Sequence, residues 1–114
     1  MSASTTTFSS TFIFEARERG DEFFRLDSEI AERARQIPGF LGEEHWVNPE
    51  TGVHSEVYYW DSREALQQLI GMDTHRLAKR RADEWIGRYR VVIAEVLSSY
   101  GDRELGLAHT PLGN

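Results

Sequence analysis

Cysteine is absent from the 114 residues, which excludes disulfides, thiolate nucleophiles, Cys-ligated zinc and iron–sulfur clusters. The absence fits a reducing compartment. The Ser/Thr-rich start, residues 1–7, has no basic segment ahead of an apolar run, so the chain reads as cytoplasmic. No apolar run approaches the ~20 residues that a membrane-spanning helix needs. Positive charge is scarce as well: 13 Lys+Arg stand against 19 Asp+Glu, a formal charge of -6. That balance argues against generic binding to nucleic acids or anionic membranes.

What is present suits one globular domain: 39% hydrophobic, 11% aromatic and 28% charged residues. At this length roughly 65% of the unfolded chain's surface can be buried, enough for one modest core. The expected layout is a single domain over 1–114, with an ordered core at about 8–100 and tails at 1–7 and 101–114.

Along the chain, Phe12, Phe14 and Ala16 alternate with Thr11, Ile13 and Glu15, which predicts a strand over 10–17. Asp21 is placed as a helix cap. Phe23, Leu26, Ile30, Ala34 and Ile37 then recur at helical spacing, predicting a helix over 21–36 that Pro38-Gly39 ends. Strands over 40–48 and 53–60 flank the turn Asn48-Pro49-Glu50-Thr51-Gly52. Asp61-Ser62 can cap a second helix, which Gly71 interrupts and Asp73 restarts as a fresh cap; it continues to Gly87. A last strand, 88–99, is dense in Val91, Val92, Ile93, Ala94, Val96 and Leu97. The order β-α-β-β-α-β predicts an α+β, ferredoxin-like fold: a four-stranded antiparallel sheet with its helices on one face.

Helices on one face leave the other bare, yet strand four is apolar in both parities. Each large aliphatic side chain left exposed forgoes ~1.5–3 kcal/mol, so a partner is expected to cover that face. A second copy is the simplest partner, giving a homodimer with sheets face to face.

Tyr58-Tyr59-Trp60-Asp61-Ser62, His75, Trp85 and Tyr89 are the densest aromatic and polar grouping. Singly, each packs for area alone. Together they can line an aromatic pocket, with Tyr58, Trp60 and Trp85 as walls and Tyr89 as a hydrogen-bond donor. His75, near a helix start, would be held neutral by the dipole and could accept a proton.

The sequence also resembles the antibiotic-biosynthesis-monooxygenase type of the dimeric α+β barrel superfamily. The matching residues are Pro38-Gly39-Phe40-Leu41-Gly42, Tyr59-Trp60-Asp61-Ser62, Asp73-x-His75 with Ala78-Lys79, and Trp85-x-x-x-Tyr89 running into Val96. The resemblance covers about residues 10–100. It implies oxygenation of an aromatic phenol or anthrone through its own carbanion, with no metal or flavin; the protein would bind, deprotonate and stabilise the anion. Heme-degrading relatives use an Asn, a Trp and a His ligand whose positions fall near Ile13, Leu69 and Lys79, and none matches.

Two further groupings stand apart. If Asn48 pairs with Val53, His45 lies opposite Glu56, with His54 and Glu43 on the same face. Such a set could hold iron or manganese, although a cross-strand surface pair is the plainer reading and no metal is expected. Arg76, Lys79, Arg80, Arg81, Arg88 and Arg90 make the second helix and its exit basic. They read as a solvated face paired with acids, or as a rim for an anionic ligand. The expected function is thus a monooxygenase-like protein acting on a small aromatic compound. The competing class is a non-enzymatic small-molecule-binding dimer; a cavity beside His75 favours the former and a filled core the latter.

Overall fold

A computed structural model describes residues 6–16, 20–81, 86–102 and 105. The alternating segment near the start forms β1 (Thr7–Ala16), followed by α1 (Gly20–Ala34), β2 (Phe40–Val47), β3 (Val53–Trp60), α2 (Arg63–Ile70), α3 (Asp73–Arg80) and β4 (Ile86–Val96). The strands make one antiparallel sheet in the order β2-β3-β1-β4. This is the ferredoxin-like α+β plan, with the second helical segment split in two at Gly71.

Pairing partners fix the faces. Phe8, Ser10, Phe12 and Phe14 of β1 stand opposite Trp60, Tyr58, Glu56 and His54 of β3. On the other side they meet Glu95, Ile93, Val91 and Tyr89 of β4. Side chains alternate along a strand, so these residues share one face. That face meets the helices: Trp60 clusters with Ile30, Ala34, Ala65, Leu66 and Leu69, and Phe14 and Ile86 cluster with Phe23. The other face carries Ile13, Trp46, Val57, Tyr59, Val92 and Ala94. Among the described residues no helix covers it.

Local chemistry accounts for the boundaries. α1 buries Phe23, Ile30 and Ala34, and Asp21 and Glu22 in its first turn favour its N-terminus. The helix starts at Gly20, so Asp21 lies inside the first turn rather than at the cap. Past Ala34 the chain turns to Gly39, whose φ of 102° only glycine adopts cheaply. A side chain there would also strike the Asp61 carboxylate and Ala65 Cβ. The close approach seats the start of β2 beside the loop that enters α2.

The β2–β3 turn has the expected register. Asn48 N donates to Val53 O at 2.9 Å, Gly52 N to Asn48 O at 2.8 Å, and Glu50 N to the Asn48 side chain at 2.9 Å. His45 therefore stands opposite Glu56. α3 starts after Met72, which gives no side-chain cap, so Asp73 is its first residue rather than its cap. β4 ends at Val96 rather than at residue 99, because its ladder stops where β1 begins, at the Thr7–Val96 pair.

Ser62 Oγ accepts from Ala65 N at 3.1 Å and caps α2. Ser62→Ala removes that acceptor and should cost about 1 kcal/mol, lowering the melting temperature by roughly 4 °C. Thermal unfolding followed by circular dichroism measures it; an unchanged midpoint would show that water replaces the cap. No described helix is long and apolar enough to cross a membrane.

Candidate functional site

Between the helix-facing side of the sheet and the three helices lies a cavity of about 290 Å³. Ser10 and Phe12 of β1, Glu56 and Tyr58 of β3, and Tyr89, Val91 and Ile93 of β4 form its floor. α1 roofs it with Phe23, Asp27 and Ile30, α2 with Leu66, Leu69 and Ile70, and α3 with His75, Ala78 and Lys79. Apolar walls with a few polar groups are the usual composition of a small-molecule site.

The cavity has a closed end and an open one. Glu56, Phe12 and Val91 form one row across β3, β1 and β4. Neighbouring strands lie ~4.8 Å apart, so the row spans roughly 10 Å. Glu56 at one end is 8% exposed, whereas Val91 at the other is 56% exposed. Tyr89 and Ile93 are also exposed, and the mouth lies along β4.

His75 is the third residue of α3 and lines the cavity. Its Nδ1 is buried and has no hydrogen-bond partner among the described residues. Burial, reinforced by the Lys79 ammonium one turn on, holds the imidazole below its ordinary range, while the Ile70 backbone partly offsets this. The ring is therefore neutral near pH 7. Neutrality was expected from the helix dipole; desolvation is the larger cause here.

Tyr58 also lines the cavity. Burial, with Glu56 and Asp27 nearby, pushes its phenol well above its ordinary value, so its hydroxyl can only donate or accept a hydrogen bond. Tyr89 stands at the mouth. Trp60 is placed differently from the expected pocket wall. It is fully buried in the core, its ring is 5.6 Å from Phe40 and 6.1 Å from Tyr58, and Nε1 donates to Ser10 Oγ at 3.1 Å. Its part is to brace two lining residues from behind. Trp85, the other wall expected, lies outside the described residues.

The structure adds a group that the sequence reading did not assemble. Glu56 and Asp27 share a hydrogen bond between their carboxyls. Burial first, then that bond and the Asp27 charge, push Glu56 so far above the carboxylate range that it keeps its proton at neutral pH. A signal existed in both segments. Asp27 interrupts the apolar face of α1 between Phe23 and Ile30, and Glu56 shares the inward parity of Tyr58 and Trp60.

The hairpin histidines do meet: His45 Nε2 and His54 Nδ1 are 2.9 Å apart. His54 stacks on Phe14, with centroids 5.0 Å apart, and burial followed by the His45 charge lowers its pKa. Glu56 pairs with Asp27 on α1 instead of joining them. Among the described residues no three His, Asp or Glu side chains converge on a metal position. The basic residues disperse as well. Lys79 lines the cavity, Arg81 pairs with Glu22 at 3.4 Å, and Arg88 with Glu15 at 2.9 Å.

No family model and no curated protein sequence matches the chain. Solved structures do. Rv0793 from Mycobacterium tuberculosis superposes with a TM-score of 0.71 at 16% identity, over 83% of this chain and 99% of that one. Protein SO0527 from Shewanella oneidensis gives 0.70 at 13%, over 81% and 92%. A crystal structure described as an antibiotic biosynthesis monooxygenase gives 0.65 at 17%, over 79% and 98%. The fold is of the antibiotic-biosynthesis-monooxygenase type. At these identities the likeness to monooxygenase-type structures is one of architecture, and chemistry has to be argued from the cavity itself.

Proposed function

We propose that the cavity binds a small phenolic aromatic compound and that the protein oxidises it with molecular oxygen. The observation that carries this reading is the neutral His75 imidazole on an apolar cavity, with Nδ1 buried and unpartnered among the described residues. Among the described residues no group pairs with that nitrogen, and on this reading the ring turns it toward a bound hydroxyl. His75 takes a proton from the ligand, Tyr89 donates a hydrogen bond to the developing anion, and Tyr58 forms a wall. Lys79 on the same cavity favours the anion by its charge. The electron-rich carbanion then reduces oxygen. In an anthrone, one oxygen atom enters as a carbonyl, replacing two hydrogens, and the other leaves as water. No metal or flavin is required on this reading.

An oxygen electrode with a library of hydroxylated polycyclic aromatics tests it. Uptake with at least one compound, undiminished by a chelator, is expected. Binding without oxygen uptake for every compound would favour the small-molecule-binding dimer instead.

We also propose that the bare sheet face packs against a second copy. Val92, Ala94, Val57 and Trp46 share that face, and Val92 and Trp46 are 39% and 56% exposed. Light scattering at micromolar concentration should report about twice the chain mass. Val92→Asp would bury a charge at that interface and should yield monomer. A wild-type monomer would remove the proposal.

A further inference from the structure

The proposed chemistry uses His75 and leaves the carboxyl pair at the closed end without a task. Both Asp27 and Glu56 line the cavity, and they come from different elements, α1 and β3. Phe12 and Ile30 line the cavity with them, and the Tyr58 hydroxyl is a nearby polar group. We propose that Asp27 and Glu56 together form a recognition site for a second, uncharged hydroxyl group of the ligand, seated at the closed end of the cavity. The inference rests on the reading of the cavity as a phenol site and narrows its substrate class to aromatics carrying at least two oxygen functions.

The chemistry of the pair selects a hydroxyl. Glu56 keeps its proton beside the Asp27 carboxyl, raised by burial first and then by that neighbour. Both carboxyls carry acceptor lone pairs to which a ligand O–H can donate. A hydroxyl can also accept from Glu56 should that proton turn to it, which a methyl or a ring C–H cannot do. A carboxylate or phosphate would have to give up its hydration beside two carboxyls and is disfavoured at the same end. Entry from β4 then places the ligand's hydroxyl-bearing end deepest, beneath α1. The remaining ring positions lie under α3, where His75 and Lys79 line the wall.

The test is a binding cycle read by calorimetry, with naphthol and a dihydroxynaphthalene as the two probes. Wild type should bind the dihydroxynaphthalene about 10- to 100-fold more tightly, the range expected for a hydrogen bond to a charged group. In a double variant carrying Asp27→Leu and Glu56→Met, both buried partners are replaced by apolar groups of similar size, a change that is often neutral for folding. This variant should bind naphthol at least as well as wild type and prefer the dihydroxynaphthalene by less than about 2-fold.

A preference retained in the double variant would overturn the inference, as would a wild type that binds both probes equally. Either result leaves the His75 proposal standing, because oxygen uptake is measured separately. Should the double variant fail to fold, Asp27→Asn supplies the same comparison, with the preference expected to fall about 10-fold. Failure of wild type to bind either probe would overturn the recognition site and the proposed function together.

Discussion

His75→Ala is expected to lower oxygenation about 10²- to 10⁴-fold while leaving the fold and the oligomeric state unchanged, because general-base catalysis contributes on that order. The loss should fall on kcat rather than on ligand affinity, since the apolar walls that hold the ring remain. The active form is the neutral imidazole, so the wild-type rate should decline on the acid side only. Burial and Lys79 lower the pKa of the ring, which places that decline below the ordinary imidazole value of 6.5. A structural histidine predicts the reverse pattern. A melting temperature several degrees lower with turnover intact would make His75 a packing residue, and the chain a binding module.

Glu56→Gln should change how stability depends on pH more than it changes stability at any one pH. Folded Glu56 keeps its proton far above the ordinary value of 4.5. Its contribution is therefore fully present below about pH 4.5 and is lost as pH rises, because the unfolded chain ionises there and the folded one does not. Above pH 7 the slope should approach about -1.4 kcal/mol per pH unit, one proton's worth. His54 and His75 act oppositely. Their lowered values mean that stability is lost as pH falls below about 6.5, where the unfolded chain takes up protons first. Denaturant unfolding of wild type and Glu56→Gln at pH 7, 8 and 9 separates these effects. The variant's curve should run nearly flat and rise above the wild-type curve; parallel curves would mean that Glu56 is ionised in the folded protein.

The architecture was legible because each element carries its own signal. The period of two in β1, the 23-26-30-34 spacing in α1 and the Asn48 to Gly52 turn each act over a few residues, and the register that puts His45 opposite Glu56 followed from the turn alone. The site was legible only in part. His75, Tyr58 and Tyr89 do line one cavity. Trp60 has the composition of a pocket wall, but the Gly39–Asp61 approach and the Ser10 hydrogen bond hold it in the core. The Asp27–Glu56 pair joins residues 29 positions apart on two layers, so it depends on how α1 sits over β3. No periodicity carries that information, although an acid on each of two inward faces is the mark such a pair leaves.

The central claim is that His75 faces a bound aromatic hydroxyl, and a crystal structure after soaking with hydroxylated polycyclic aromatics tests it most directly. A ring is expected between Phe12 and the helices, with an oxygen within about 3 Å of a His75 ring nitrogen. A ligand bound elsewhere, or one in the cavity with only carbon atoms against His75, would contradict it.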